Sequence, residues 1–157
     1  MNAVIRLFKP DDAKAFHDLN VAWIEQYFEL EEKDRKTLEH PDQYILGKNG
    51  RIVVADLDGV VVGTAALIPI DDDTVELAKM CVDASQRGAG IGKAILKRID
   101  VEAADMGARA IWLESNTVLE AAIRLYETCG YKTLTEDECT HSPYARCNTQ
   151  MKKHLSQ

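Results

Sequence analysis

The stretch that decides the fold is residues 75–98, which read VELAKMCVDASQRGAGIGKAILKR. Residues 75–82 are mostly apolar, as in a buried β-strand. Glycines then follow at positions 88, 90 and 92. Beyond them, apolar residues recur at Ile91, Ile95 and Ile99, which is the spacing of one helix face. The stretch therefore predicts a strand, a glycine-rich turn, and a helix that begins at the turn.

This turn is suited to a negatively charged ligand. Glycines let the main chain approach a ligand closely and let successive N–H groups point at one place. The first turn of the helix adds unpaired N–H groups and the positive end of the helix dipole, a combination that binds phosphate well. A tight turn that uses glycine only for geometry is the simpler alternative, but such a turn does not need Gln86 and Arg87 beside its glycines.

Two familiar phosphate-binding motifs do not fit the spacing. A dinucleotide fingerprint would need glycine where Lys93 stands, and a Walker A loop would need Ser or Thr at Ala94. The pattern Arg87-x-x-Gly90-x-Gly92, after a strand and at the start of a helix, instead resembles the pyrophosphate loop of the GNAT superfamily of acyl-CoA-dependent N-acetyltransferases. The resemblance implies that acetyl-CoA is the cosubstrate and that its phosphates contact the segment made of Arg87, Gly88, Ala89, Gly90, Ile91, Gly92 and Lys93.

The flanking segments predict the remaining elements before residue 75. Residues 3–8 alternate like a strand, and the helical spacing after Pro10 predicts a helix to about Phe28. The highly charged segment 30–40 predicts a second, exposed helix or lid. Asp58-Gly59 lies between β-rich runs at 51–57 and 60–70, so it predicts a hairpin.

The second half of the chain completes an α+β pattern. The helix after the glycines should end near Gly107, and a strand follows at 110–114. Thr117-x-x-Glu120 predicts a capping box that starts another helix, and strands are expected at 131–135 and 145–152. We predict a single domain over residues 1–157 with a mixed, mostly antiparallel central sheet of about seven strands and helices on both faces. This element order also resembles that of the GNAT superfamily.

Composition argues against several classes of function. The net charge of −7, without any cluster of Lys and Arg, argues against nucleic-acid binding. No apolar run reaches the ~20 residues that cross a membrane. The four cysteines form no CxxC pair and no metal-ligand spacing with the four histidines, and Met1 leads straight into a strand-like segment. We therefore expect a cytoplasmic protein with reduced thiols and no bound metal.

The resemblance also implies two catalytic residues. Tyr126, in Leu125-Tyr126-Glu127-x-x-Gly130-Tyr131, matches the tyrosine that hydrogen-bonds the CoA sulfur and would be the general acid. Glu76 matches the glutamate that removes the amine proton in many relatives, often through water. Each has a simpler alternative: Tyr126 could be a buried tyrosine on an apolar helix face, and Glu76 an edge carboxylate facing solvent.

Three further residues are implied on the side of the thioester. Superfamily strands carry a β-bulge here, after which the main-chain N–H groups of Cys81 and Val82 would hold the thioester carbonyl. Asn116 would contact the pantetheine arm, although a turn or cap asparagine explains it nearly as well. Cys81 could also be read as a nucleophile, but no histidine is near it in sequence, and a buried structural thiol is the preferred interpretation.

The predicted function is transfer of an acetyl group from acetyl-CoA to a primary amine of a small molecule or peptide, by direct attack in a ternary complex. The acceptor's amine would lie near the carboxylates of Glu31, Glu32 and Asp34, because this segment forms part of the acceptor site in the superfamily. Two alternatives stay open: a non-catalytic acyl-CoA-binding module, and a domain that binds ATP or a dinucleotide. A homodimer is compatible with the resemblance.

Overall fold

A seven-stranded sheet forms the centre of the computed structural model, which describes residues 2–156. The strands are β1 (Val4–Leu7), β2 (Arg51–Leu57), β3 (Val60–Pro69), β4 (Thr74–Val82), β5 (Ala110–Ser115), β6 (Lys132–Thr133) and β7 (Thr149–His154). Their spatial order is β1-β2-β3-β4-β5-β7-β6. Strands β4 and β5 pair in parallel, and the other described pairs are antiparallel. The predicted mixed, mostly antiparallel sheet is confirmed.

Helices cover both faces of this sheet, as predicted. They are α1 (Ala13–Tyr27), α2 (Glu32–Glu39), α3 (Pro41–Tyr44), α4 (Ile91–Asp105) and α5 (Glu120–Thr128). Alternation along β2 explains the two layers, because successive side chains of a strand point to opposite faces. Ile52 and Val54 pack in one buried cluster with Phe16 of α1, whereas Val53 and Ala55 pack in the other cluster with the buried face of α4.

The hairpin between β2 and β3 follows from its two turn residues. Asp58 has a φ of 53° and Gly59 a φ of 87°, so both lie in the left-handed region that a two-residue type I′ turn requires. The amide of Gly59 also donates a hydrogen bond of 2.7 Å to the carboxylate of Asp56. Local turn chemistry therefore fixes the pairing of these strands.

The prediction that α2 is an exposed helix was wrong. Asp34 is 0% exposed and Leu38 is 1% exposed, and Leu38 belongs to the core cluster on the α1 side of the sheet. Only the charges on the opposite side of α2, such as Glu32 and Arg35, face solvent. One side of α2 therefore packs against the sheet. The many charged residues of this segment made that side difficult to predict from the sequence.

Two boundaries near the C-terminus also differ from the prediction. The helix α5 begins at Glu120 without a side-chain cap, so the capping box predicted from Thr117 is not formed. The side chain of Asn116 organises this turn instead, by accepting a hydrogen bond of 2.9 Å from the amide of Val118. The last strand spans 149–154 rather than 145–152, and β6 is only two residues long.

Strands β4 and β5 separate after a short parallel ladder. Their paired residues run from Thr74 with Ala110 to Glu76 with Trp112. Beyond Glu76, the two strands no longer pair, and their ends line a cavity. Among residues 2–156, no helix combines the length and apolarity that crossing a bilayer requires.

Candidate active site

Strand β4 carries the expected β-bulge. Thr64 of β3 is opposite Cys81 and Ala66 is opposite Ala78, so two residues of β4, Lys79 and Met80, face a single residue of β3. Lys79 has a φ of 53°, which is unusual for a residue with a side chain. The bulge also resets the alternation, because Val75 and Leu77 before it and Met80 and Val82 after it all contact the α4-side core cluster.

A buried hydrogen-bond network holds this bulge in place. The hydroxyl of Thr64 donates to the carbonyl of Lys79 at 2.9 Å, and the amide of Asn20 donates to the Thr64 hydroxyl at 3.1 Å. The indole of Trp23 donates to Asn20 at 3.0 Å. Asn20 and Thr64 are both 0% exposed. Sequence analysis missed this network, although a polar Asn20 one helical turn from buried Phe16 and Ile24 was a usable signal.

The glycines of the turn after β4 have two different structural reasons. Gly88 and Gly90 have φ values of 86° and 81°, and a Cβ at either position would meet nothing within 4 Å. Backbone conformation alone requires glycine there. Gly92 instead allows close packing, because a Cβ would lie 2.9 Å from the Cδ2 of Leu125 on α5.

The start of α4 supplies the donors of an anion site. The first hydrogen bond of this helix runs from the amide of Ala94 to the carbonyl of Gly90, at 3.1 Å. By helix geometry, the N–H groups of residues 90–93 therefore have no partner within the helix. Its first turn contains no acidic residue, and Arg87 and Lys93 lie beside it. This donor set fits the diphosphate of CoA.

One cavity of about 690 Å³ joins this anion site to the ends of β4 and β5. All but one of the sequence-predicted site residues line it: Glu76, Cys81, Val82, Arg87, Gly88, Gly90, Ile91, Gly92, Lys93, Asn116 and Tyr126. Ala89 is the exception, although it lies in the same turn. At the opposite end, the cavity reaches Trp23, Tyr27 and Phe28, from the end of α1.

Tyr126 and Cys81 both keep their protons at neutral pH. Burial raises the pKa of the Tyr126 hydroxyl to about 12, so it can donate a proton or a hydrogen bond. Burial likewise raises the pKa of the Cys81 thiol to about 12, and its sulfur lies 3.6 Å from the Thr64 hydroxyl. Because the thiolate is the reactive form of cysteine, this environment does not favour a nucleophilic role for Cys81.

Glu76 sits where a carboxylate holds its proton more tightly than in water. Burial raises the pKa of Glu76, and the negative charge of Glu114 on the neighbouring β5 raises it further. The hydroxyl of Ser142 donates to Glu114 at 2.7 Å. A carboxylate whose pKa is raised in this way is a better proton acceptor than an exposed one.

The side chain of Asn116 is largely committed to local structure. Its amide nitrogen donates to the carbonyl of Arg146 at 2.7 Å, and its oxygen accepts from Val118. These bonds tie the end of β5 to the segment before β7. Asn116 does line the cavity, but its hydrogen bonds match those of a turn asparagine.

The acidic residues of α2 do not provide the expected acceptor site. The carboxylate of Asp34 accepts from Lys79 at 2.5 Å and from two nitrogens of Arg146 at 2.7 Å each, and also from the amide of Glu31 at 3.0 Å. Glu31 lies 3.5 Å from Arg146, and Glu32 is exposed. Asp34 is therefore saturated, and none of the three carboxylates lines the cavity. Sequence analysis missed this cluster.

The sheet order, the bulged β4 and the anion site at the start of α4 together define an acyl-CoA N-acetyltransferase fold. The chain matches the model of the Acetyltransferase (GNAT) family over residues 14–131, and it belongs to that family. It is 36% identical over 90 residues to an uncharacterised N-acetyltransferase of Mycobacterium tuberculosis, a match that covers 57% of this chain. The chain spans 58% of the length of that relative.

Solved structures confirm the fold. A GNAT-family acetyltransferase from Staphylococcus aureus superposes with a TM-score of 0.89 at 19% identity, covering 98% of this chain and 99% of that one. YncA from Salmonella typhimurium, solved with its cofactor acetyl-CoA, gives a TM-score of 0.75 at 20% identity, covering 100% of this chain and 96% of that one. The predicted family and fold class are confirmed, and acetyl-CoA, the predicted cosubstrate, is the cofactor of a protein with this fold.

Proposed function

We propose that this protein transfers an acetyl group from acetyl-CoA to a primary amine of a small molecule or peptide, by direct attack in a ternary complex. The observation that carries the proposal is the single cavity that connects the anion site at the start of α4 with Tyr126 and Glu76. A site that only bound CoA would not need a protonated tyrosine and a buried glutamate in the same cavity. The four cysteines are free thiols, which supports a cytoplasmic location.

The residues of the anion site would hold the diphosphate. The N–H groups at the start of α4 and the guanidinium of Arg87 supply donors, and Lys93 adds a second positive charge. This arrangement orients the thioester towards the separation between β4 and β5. The N–H groups of Cys81 and Val82, which follow the bulge, would then polarise the acyl carbonyl.

Acetyl-CoA supplies the acetyl group as a thioester, whose C–S bond breaks as the amine nitrogen forms the new C–N bond. Glu76 would accept the proton that the amine loses, directly or through water. Tyr126 would donate its proton to the departing sulfur and recover one from solvent, and Glu76 would release to solvent the proton that it accepted. A neutral amine loses one proton per turnover, which is balanced by the proton gained by sulfur; an acceptor that binds as an ammonium loses a second proton, which is released to solvent.

Calorimetric titration with CoA tests the binding half of this proposal. We expect Arg87→Gln to weaken CoA binding by roughly tenfold, because a charge-assisted hydrogen bond contributes about 1.5–3 kcal/mol. Arg35→Gln is the matched control, because Arg35 is exposed on α2 and does not line the cavity. Wild-type protein that releases no heat with CoA, or unchanged affinity in Arg87→Gln, would contradict the assignment of the anion site.

Turnover tests the chemical half. Acetyl-CoA and a panel of primary amines should release free CoA thiol, and mass spectrometry should find the N-acetylated amine. Tight CoA binding without turnover of any amine would instead favour the non-catalytic acyl-CoA-binding module.

A further inference from the structure

Two carboxylates and two cations line the cavity. Glu76 and Glu114 come from the neighbouring strands β4 and β5. Lys79 comes from the bulge of β4, and Arg146 from the segment before β7. A wall that presents both signs of charge fits a ligand that itself carries both signs.

The two cations are not fully used by their protein partners. An ammonium has three N–H donors and a guanidinium has five. Lys79 donates to Asp34, and its nitrogen lies 3.4 Å from the hydroxyl of Tyr144. Arg146 directs two nitrogens to Asp34 and one of them also to Glu31 at 3.5 Å. Each side chain therefore has more N–H donors than the partners it contacts among residues 2–156, and both residues line the cavity.

A purely structural role explains this cluster poorly. One cation is enough to neutralise Asp34, which is 0% exposed, yet two cations surround it. Lys79 is itself only 7% exposed and adopts a left-handed backbone conformation. Glu31 offsets the second charge only from the outer edge, at the longest distance in the cluster. Asp34 therefore does not by itself balance both cations, and both residues line the cavity.

The ring of Tyr144 concentrates the cations at one place. The guanidinium of Arg146 lies 4.4 Å from the ring centroid, and the ammonium of Lys79 lies 5.0 Å from it. Lys33 contacts the ring as well, at 5.2 Å, but it does not line the cavity. Stacking on an aromatic face holds Arg146 and Lys79 in a fixed position without occupying their N–H donors.

We propose that the acceptor is a small molecule that carries both a primary amine and a carboxylate, with its ammonium group at Glu76 and Glu114 and its carboxylate at Lys79 and Arg146. This inference rests on the proposed function, because it places the reacting amine next to Glu76. An arginine that stacks on a ring and still has free N–H groups suits the planar carboxylate.

Matched acceptors test the inference directly. Each amino acid is compared with the amine that lacks its carboxylate and with its amide, which keeps the size but not the charge: phenylalanine with phenethylamine and phenylalaninamide, and leucine with isoamylamine and leucinamide. The rate of CoA thiol release gives kcat/KM for each. We expect the preferred amino acid to exceed both of its partners by at least about tenfold, as loss of a charge-assisted pair predicts.

The variant Arg146→Gln identifies the residues responsible. It leaves Asp34 paired with Lys79, so no buried charge is left alone. We expect the carboxylate preference, which is the ratio of kcat/KM for the amino acid to kcat/KM for its matched amine, to fall about tenfold, mainly through the KM of the amino acid. Arg146→Lys should retain part of the preference. Lys33→Gln, which removes a cation on the same tyrosine but outside the cavity, should retain all of it.

Thermal stability separates the two possible failures. In the presence of CoA, the preferred amino acid should raise Tm more than its decarboxylated partner does, even if turnover is undetectable. Turnover of amines without any carboxylate preference overturns this inference and leaves the proposed function intact. Turnover of no amine overturns the proposed function, and equal Tm shifts for the matched pairs then overturn this inference as well.

Discussion

We expect Asp34→Asn to destabilise the fold more than a substitution that removes the charge of an exposed residue or of another residue of α2. The wild-type carboxylate is 0% exposed and accepts hydrogen bonds from Lys79, from Arg146 and from a backbone amide. Asparagine keeps nearly the same shape but removes the negative charge. Lys79 and Arg146 then lose their shared buried counter-charge, and Glu31, at 3.5 Å from Arg146, offsets only part of it.

The pKa of Asp34 sets a scale for this effect. Its ion pairs lower the pKa from 3.8 to about 2, against the opposing effect of burial. At about 1.4 kcal/mol per pKa unit, the charged form contributes about 2.4 kcal/mol to stability at neutral pH. Removing one partner of a buried pair typically costs about 3–5 kcal/mol. We therefore expect Asp34→Asn to lower the free energy of unfolding by about 3 kcal/mol at pH 7.

The sign of the pH dependence follows from the lowered pKa. The stabilisation is complete above pH 4 and is lost as the pH falls through the folded-state value of about 2. Urea denaturation should thus show the gap between wild type and Asp34→Asn shrinking by about 1 kcal/mol between pH 7 and pH 3. Asp18→Asn, which removes an exposed partner of Lys14, should cost under about 1 kcal/mol. A gap below about 1 kcal/mol at pH 7 for Asp34→Asn refutes the reasoning.

Three further predictions concern the two proposed catalytic residues and the glycine turn. Tyr126→Phe should lower kcat, measured by thiol release, by about 10²–10⁴-fold, and should leave the Kd for CoA, measured by calorimetry, unchanged. A kcat within about threefold of wild type would show that Tyr126 is not the general acid. In wild type, kcat/KM should rise with pH as Glu76 loses its proton, with a midpoint above 4.5 because burial and Glu114 raise the pKa of Glu76. This rise should be absent in Glu76→Gln. A rise that persists in the variant would assign the general base to another group. Gly90→Ala should lower the free energy of unfolding, measured by urea denaturation, by about 1–2 kcal/mol, because Gly90 has a φ of 81°. Ala89→Gly, in the same turn, should lower it by under about 1 kcal/mol. Equal losses would contradict the argument from backbone conformation.

The parts of the fold that the sequence predicted are those that local chemistry controls. Asp58-Gly59 requires positive φ at both residues and so fixes a hairpin by itself. The glycine turn and α4 follow in the same way from backbone freedom and apolar spacing. These features depend on residues close together in the chain, so a single sequence shows them.

The acceptor side of the site depends on contacts between distant residues, and a single sequence does not show them. Asp34 pairs with Lys79 across 45 positions and with Arg146 across 112 positions. Each residue alone resembles an ordinary surface charge, so α2 was predicted to be exposed. The role of Lys79 could not be predicted either, because no residue near it in the chain shows that its charge is balanced by Asp34.

Lys79 links the two halves of the site. Its carbonyl accepts from Thr64 in the network that holds the bulge, and its side chain forms part of the charged wall of the cavity. Under the proposed function, a substitution at Lys79 would therefore change the geometry next to the thioester and the charged wall of the cavity together. Arg146 lies outside the strands and takes no part in the Thr64 hydrogen bonds of the bulge, although its side chain pairs with Asp34 and borders the cavity. If the proposed acceptor site is correct, a substitution at Arg146 changes acceptor preference and leaves the Thr64 hydrogen bonds of the bulge in place, whereas a substitution at Lys79 changes both.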